Sequence, residues 1–377
     1  MKVLILTITA GEGHNATAAA IENCLKSRGV DCQVLDACLK INRGLYDLVS
    51  KGYLLTTAEF KKAYSFVYSK LEGRKSNSYT RSMTRTAYNM IKHKVLHFID
   101  DYQPDVIVYT HIFAGILLDI LKQKNRLSAR TVGVVTDFVM HPFWEESLRT
   151  DRIVIANEML LPAARRKGYT EGQIAATGIP IRPQFATSQT KEEARRALDI
   201  DEKKPTVLLM GGSMGYGSPA KTMQELDALE TDLQMLCVCG NNQEAKAQID
   251  AIKFKKTVRN FGYTEQISLL MDAADCIVTK PGGLTTSEAL AKRLPMIIAN
   301  PIPGQEERNT EFLLNSGVAM KISKTAVLSD AIYQLFHDPE RIETMKRNIE
   351  LIRKPHASED LADLIFSLAS ADTDVEK

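Results

Sequence analysis

Short runs of consecutive apolar, often β-branched residues alternate with stretches of helical periodicity along the whole chain. Runs that are apolar at every position predict strands covered on both faces, and their alternation with helices predicts parallel sheets. In the first half these strands are Val3–Thr9, Gln33–Asp36, Asp105–Thr110, Thr131–Thr136 and Ile153–Ala156. Gly13–Ser27 predicts the first crossover helix, with Ala18, Ile21 and Leu25 on one face. A second series follows Lys204-Pro205: Thr206–Met210, Leu236–Cys239, Thr257–Phe261, Cys276–Thr279, Met296–Ala299 and Ala319–Ile322. Between the series, the proline-bearing Gly178-Ile-Pro-Ile-Arg-Pro183 and the polar stretch Ala186–Lys204 predict a linker.

Each series has about the size of one doubly wound domain. The 377 residues therefore predict an α/β protein with an N-terminal domain over 1–185, a linker over 186–204, a C-terminal domain over 205–350, and a helix and tail over 351–377. An apolar share of 44% with 25% charged residues excludes a disordered chain and a collagenous repeat. Six cysteines without a C-x-x-C pair, or a histidine at metal-ligand spacing, fit scattered thiols in a reducing compartment. No metal site is expected. The Asp199-Ile-Asp201 and Asp372-Thr-Asp374 pairs read as solvated charge. The apolar run around Ile112–Leu121, broken by Asp119, is too short to cross a bilayer. Lys2 and the run behind it have the look of a secretion signal, but they feed a glycine turn and an alanine-rich helix, as a first strand does. A cytoplasmic protein is expected.

Charge is unevenly placed. Residues 40–97 hold 12 Lys+Arg against 3 Asp+Glu, a net of +9 that leaves −7 for the rest. Eight aromatics are interleaved there, from Tyr46 to Tyr88. The segment reads either as a solvated helical face with aromatics turned inward or as a surface for anionic lipid headgroups. Nucleic acid is disfavoured, because the remainder is acidic and no nucleic-acid motif is present.

Three glycine-rich turns each lie between a predicted strand and a predicted helix, where backbone N–H groups can cradle an anion. The first, Gly11-Glu-Gly13-His14, puts a histidine in the first turn of a helix, where the dipole favours the neutral ring. The second, Gly211-Gly212-Ser213-Met-Gly215-Tyr-Gly217, lacks the Lys-Ser/Thr ending of a nucleotide-hydrolysing P-loop. The third, Lys280-Pro-Gly282-Gly283 followed by Thr285, Thr286 and Glu288, offers hydroxyls for a diphosphate and a carboxylate for a ribose diol. A plain capping role for either threonine is the simpler reading. Pro303-Gly-Gln305-Glu306 adds an amide and a carboxylate beside that turn.

Six motifs in this order (Gly-Glu-Gly-His14; Thr136-Asp137-Phe138 with His141 and Trp144; Gly178-Ile-Pro-Ile-Arg-Pro-Gln-Phe185; Gly211-Gly-Ser-Met-Gly215; Lys280-Pro-Gly-Gly283 with Glu288; Pro303-Gly-Gln305-Glu306) resemble glycosyltransferase family 28. Within it they are similar to the diacylglycerol glycosyltransferases, the group of bacterial processive diacylglycerol glucosyltransferases and plant monogalactosyldiacylglycerol synthases. The resemblance covers residues 1 to about 350. It implies a GT-B fold, two Rossmann-like domains facing a cleft, and inverting transfer of a hexose from UDP-glucose or UDP-galactose to diacylglycerol without a cofactor. It also implies a protein held peripherally on the inner face of the cell membrane through residues 40–97. By the same resemblance His14 is the base; Asp137 and His141, which follow a predicted strand end, are the reserve candidates. Gly11, Gly13, Gly212, Ser213, Gly282, Gly283, Thr285 and Thr286 would hold the diphosphate, Phe261 and Gly262 uracil, Glu288 ribose, and Gln305 and Glu306 the sugar. Glu12 departs from the more usual glycine of the first loop. A UDP-N-acetylglucosamine 2-epimerase, a transferase with another acceptor, and a non-catalytic sensor on the same scaffold are the alternatives.

Overall fold

The computed structural model describes residues 1–8, 12–36, 95–211 and 218–370. The chain divides into two compact units. The first is Met1–Pro183 with Pro303–Gln305 and His356–Lys377, and the second is Gln184–Ile302 with Glu306–Pro355.

In the first unit, β1 (Lys2–Thr7), β2 (Asp31–Asp36), β3 (Val106–Tyr109), β4 (Arg130–Val134), β5 (Arg152–Val154) and β6 (Ile174–Ala175) form one parallel sheet in the order β2-β1-β3-β4-β5-β6. Five of these strands lie where the apolar runs predict them. The two-residue β6 has no run of its own and exists by pairing with β5. Helix α1 (Glu12–Ser27) packs Ala18, Ile21 and Leu25 on the sheet. The C-terminal helix Ala357–Ser370 joins the same core through Leu361, Ala362, Ile365 and Leu368. Ser358 Oγ donates to the Ile181 carbonyl at 2.7 Å, and Arg28 pairs with Asp363, so polar contacts fix what apolar burial drives.

Tyr109 shapes the upper end of this sheet. Its fully buried ring lies against Gly115 in α2 (Ile112–Gln123) and Gly133 in β4, and stacks on Trp144 at 6.0 Å between centroids. A Cβ added at Gly115 would stand 2.5 Å from a ring atom and one at Gly133 2.5 Å from the ring's hydroxyl, so the tyrosine fits only where both side chains are absent.

The second unit repeats the plan with β7 (Thr206–Met210), β8 (Gln234–Val238), β9 (Val258–Phe261), β10 (Cys276–Thr279), β11 (Met296–Ile298) and β12 (Ala319–Lys321), again all parallel, in the order β9-β8-β7-β10-β11-β12. The polar stretch expected as a linker is instead a packed part of this unit. Helix α3 (Lys191–Ala197) starts in a capping box of Thr190 and Glu193. Its Arg195, 4% exposed, donates to the Ala273 carbonyl at 2.9 Å and pairs with Asp275 at 2.6 Å. Lys292 and Asp272 form a second buried pair at 2.8 Å, and the Gln189 amide donates to Asp272. Charges that look solvated in the sequence meet partners about 80 residues away.

In doubly wound sheets a ligand binds beyond the carboxyl ends of the strands, where the strand order reverses. That point falls between β1 and β3 in the first unit and between β7 and β10 in the second. The glycine turns carrying His14 and Thr286 follow β1 and β10.

Candidate active site

His14 lies in the first turn of α1, just past the end of β1. Its Nδ1 is 2.7 Å from the Thr110 carbonyl oxygen at the end of β3. A carbonyl only accepts, so Nδ1 carries the ring proton and the lone pair of the neutral ring is on Nε2. The Thr136 hydroxyl lies 3.1 Å from the same Nδ1 and takes a second share of that N–H. Beneath it, the Thr110 hydroxyl donates to the Thr7 hydroxyl at 3.1 Å, which donates to Asn15 Oδ1 at 3.0 Å. Three neighbouring strand ends thus orient one imidazole. Burial pushes the His14 pKa down, against a smaller upward pull from the Thr110 carbonyl, so the ring is neutral at pH 7.

A second histidine, His111, stands edge-on to His14, with ring centroids 4.7 Å apart. It is the N-cap of α2, where its Nδ1 accepts from the Phe113 amide at 3.2 Å, so its proton is on Nε2. Burial drives its pKa well down, and a charge on His14 or His141 would lower it further. His141, at the start of the turn Pro142–Glu146, repeats the arrangement by accepting from the Phe143 amide at 3.2 Å. The sequence reading omitted His111. Its signal is the repeated His-x-Phe, at His111-Ile-Phe113 and His141-Pro-Phe143, in the segments that follow two successive strands. Asp137, the reserve base, is half-buried in the loop between β4 and that turn.

In the second unit, α4 (Gly283–Ala291) begins directly after the Lys280-Pro-Gly turn, with Gly282 as its N-cap. Among the described residues no side chain caps it, and its first turn holds no acid, so its free N–H groups and positive dipole end face the crevice beyond β10. Thr286 is fully buried in that first turn, and its hydroxyl has no hydrogen-bond partner among the described residues. An unpaired buried hydroxyl costs about 1–3 kcal/mol, which an anion's oxygen would recover. Ser287 spends its hydroxyl on the Gly283 carbonyl at 2.9 Å. Glu288 is 3% exposed on the same helix, and Thr285 is half-buried. Thr279 Oγ1 ties the end of β10 to the Met210 carbonyl of β7 at 2.7 Å, closing the switch point from below.

Gly304, at φ 89°, turns the chain into α5 (Gln305–Asn315) in a conformation that only glycine adopts cheaply. Asn309 on α5 holds the Pro281 carbonyl at 2.9 Å and braces the third turn. Glu306 is already engaged within its unit: Oε1 pairs with Lys280 at 3.0 Å and Oε2 accepts the Ile302 amide at 2.7 Å. It therefore holds the turn together, beyond any part in sugar recognition. Gln305 counts with the first unit and Glu306 with the second. Phe261 closes β9, Gly262 follows it half-buried, and Gly13 is exposed in α1. Gly11, Gly212, Ser213 and residues 40–94 of the basic segment lie outside the described residues.

Among the described residues no cluster of His, Cys, Asp or Glu could hold a metal ion, and no helix is long and apolar enough to cross a membrane. Asp199 pairs with Arg259, and Asp201 accepts the Lys203 and Lys204 amides, which accounts for that D-x-D pair.

Comparison with known proteins agrees with the two-unit division. A family model described as monogalactosyldiacylglycerol (MGDG) synthase matches residues 14–181, and one described as glycosyltransferase family 28 C-terminal domain matches residues 206–364. A processive diacylglycerol beta-glucosyltransferase of Bacillus pumilus is 29% identical over 96% of this chain and 93% of its own length. Among solved structures, Acinetobacter baumannii MurG superposes with a TM-score of 0.65 at 15% identity, covering 97% of this chain and 99% of that one. UDP-GlcNAc 2-epimerase from Neisseria meningitidis gives 0.58 at 13%, covering 97% and 100%. The two structural likenesses establish the GT-B fold.

Proposed function

We propose that this chain, which belongs to glycosyltransferase family 28, moves a hexose from a UDP-sugar to the hydroxyl of diacylglycerol with inversion at the sugar. Glucose is the favoured hexose, because the relatives that match over nearly the whole chain are named beta-glucosyltransferases. The acceptor O–H gives its proton to His14 Nε2 as its oxygen attacks the anomeric carbon. The bond from that carbon to the diphosphate breaks, and UDP leaves with the electron pair. The N-terminus of α4, Thr286 and the turn around Ser213 meet the charge that develops on the diphosphate. Glu288 takes the ribose, Phe261 and Gly262 the uracil, and Gln305 with Glu306 the sugar. Residues 40–97 hold the protein against an anionic membrane face, where the lipid acceptor resides.

The observation that carries this reading is the state of His14. Its ring is held neutral, with Nδ1–H engaged by a backbone carbonyl and the Nε2 lone pair left for the proton. His14→Asn keeps a donor for the Thr110 carbonyl and removes the base. Transfer should fall by about 10²–10⁴ in kcat while UDP affinity stays within about twofold of wild type. Undiminished transfer by His14→Asn would overturn the assignment and direct attention to Asp137. Conversion of UDP-N-acetylglucosamine to its 2-epimer without lipid would overturn the reaction class.

A further inference from the structure

Beside His14 the first unit carries a continuous line of rings that the reaction itself does not use. His14 meets His111 at 4.7 Å, His111 meets Phe113 at 5.2 Å, Phe113 meets Phe143 at 6.2 Å, and Phe143 meets His141 at 4.9 Å, all between centroids. Helix α2 turns Ile112, Ala114, Ile116, Leu117, Leu118 and Leu121 into the core, yet leaves Phe113 in its first turn 46% exposed. This phenylalanine is nevertheless held in place, by the histidine that caps its own helix and by a second phenylalanine set on the same capping arrangement. An exposed phenylalanine backed by a half-buried one, both fixed in orientation, is a surface prepared for apolar contact.

We propose that Phe113 and Phe143 form the hydrocarbon subsite for the lipid acceptor, receiving the first methylenes of its acyl chains while the glycerol hydroxyl reaches His14. This rests on the acceptor reading given above. The occupant is indicated by continuity: a molecule lying on Phe113 is two ring contacts from the base, so the apolar part it covers belongs to the molecule whose hydroxyl is deprotonated. A surface serving only to grip the bilayer would have no need to adjoin the proton acceptor.

The test is the chain-length dependence of transfer from UDP-glucose to short-chain diacylglycerols, used as dispersed monomers so that no membrane takes part. Wild type should gain up to about fourfold in kcat/KM per methylene over the first carbons, the value of one buried CH₂. Phe113→Ser and Phe143→Ser should reduce that gain to less than about twofold per methylene, and Phe113→Leu should restore most of it. Thermal midpoints confirm that each variant is folded, and the leucine variant keeps the test sharp if a serine variant is not. Binding to phosphatidylglycerol–phosphatidylcholine vesicles is measured alongside by sedimentation. An unchanged methylene gain in the serine variants overturns the proposal. If vesicle binding is lost while that gain persists, the rings contact the membrane and the acyl subsite is refuted. Absence of transfer by wild type to any diacylglycerol refutes instead the acceptor reading on which the subsite rests.

Discussion

Lowering the pH from 7.5 to 5.5 should destabilise the first unit through His14 and His111. Burial depresses both imidazoles below the ordinary value of 6.5, His111 the further. Well above pH 6.5 each ring is neutral in the folded and the unfolded chain, and neither affects stability. Below it, the unfolded chain binds a proton on each ring that the folded chain refuses, so stability declines until the pH passes the folded-state pKa. At pH 5.5, one unit under 6.5, a ring that stays neutral in the fold contributes at most about 1.4 kcal/mol of destabilisation, from RT ln(1 + 10). His111 alone gives up to about 1.4 kcal/mol and both together up to about 2.8 kcal/mol. For a unit of about 200 residues this is a fall of about 3–11 °C in midpoint. Scanning calorimetry across this range on wild type and the His14→Asn/His111→Asn double variant measures it, since the asparagine that replaces His111 can still accept from the Phe113 amide. A wild-type midpoint that moves by less than about 1 °C would refute the reasoning, as would a double variant losing as much as wild type.

Other outcomes follow from packing and from the anion crevice. Gly133→Ala puts a methyl 2.5 Å from the Tyr109 hydroxyl and should cost about 3 kcal/mol, the upper end for overpacking; combining it with Tyr109→Leu should cost less than the sum of the single changes in urea unfolding. Thr286→Val keeps the shape and removes an unpaired hydroxyl, so thermal stability should hold or rise while UDP affinity drops about 5–30-fold by calorimetry. Ending the chain at residue 356 removes Leu361, Ile365 and Leu368 from the first core, and the product should be insoluble or bind a hydrophobic dye far more strongly than wild type.

Much of this architecture is written in local pattern. β7 and β10 lie on the predicted residues because all-apolar runs of that length have few other solutions, and the Lys280-Pro-Gly turn follows β10 as read. What escaped is what only tertiary contact creates. Lys191 and Arg195 look like linker charge until Asp275 is beside them. The return of Leu361 and Ile365 to the first core depends on chain routing, which periodicity does not encode. His111 is marked in the sequence only by the His-x-Phe it shares with His141, and that repeat gains meaning only from the contact of His111 with His14. Glu306 was expected at the sugar alone, and its two structural bonds come from groups at Lys280 and Ile302 that the linear motif does not connect.

The central claim is transfer of a sugar to a lipid hydroxyl. It is tested most directly by incubating the purified protein with diacylglycerol vesicles and UDP-[¹⁴C]glucose and following label in the organic phase. The account predicts a labelled glycolipid that forms in step with released UDP and disappears when the vesicles lack diacylglycerol. Label that stays in the aqueous phase with every UDP-hexose, in the presence of vesicles and folded protein, would contradict it.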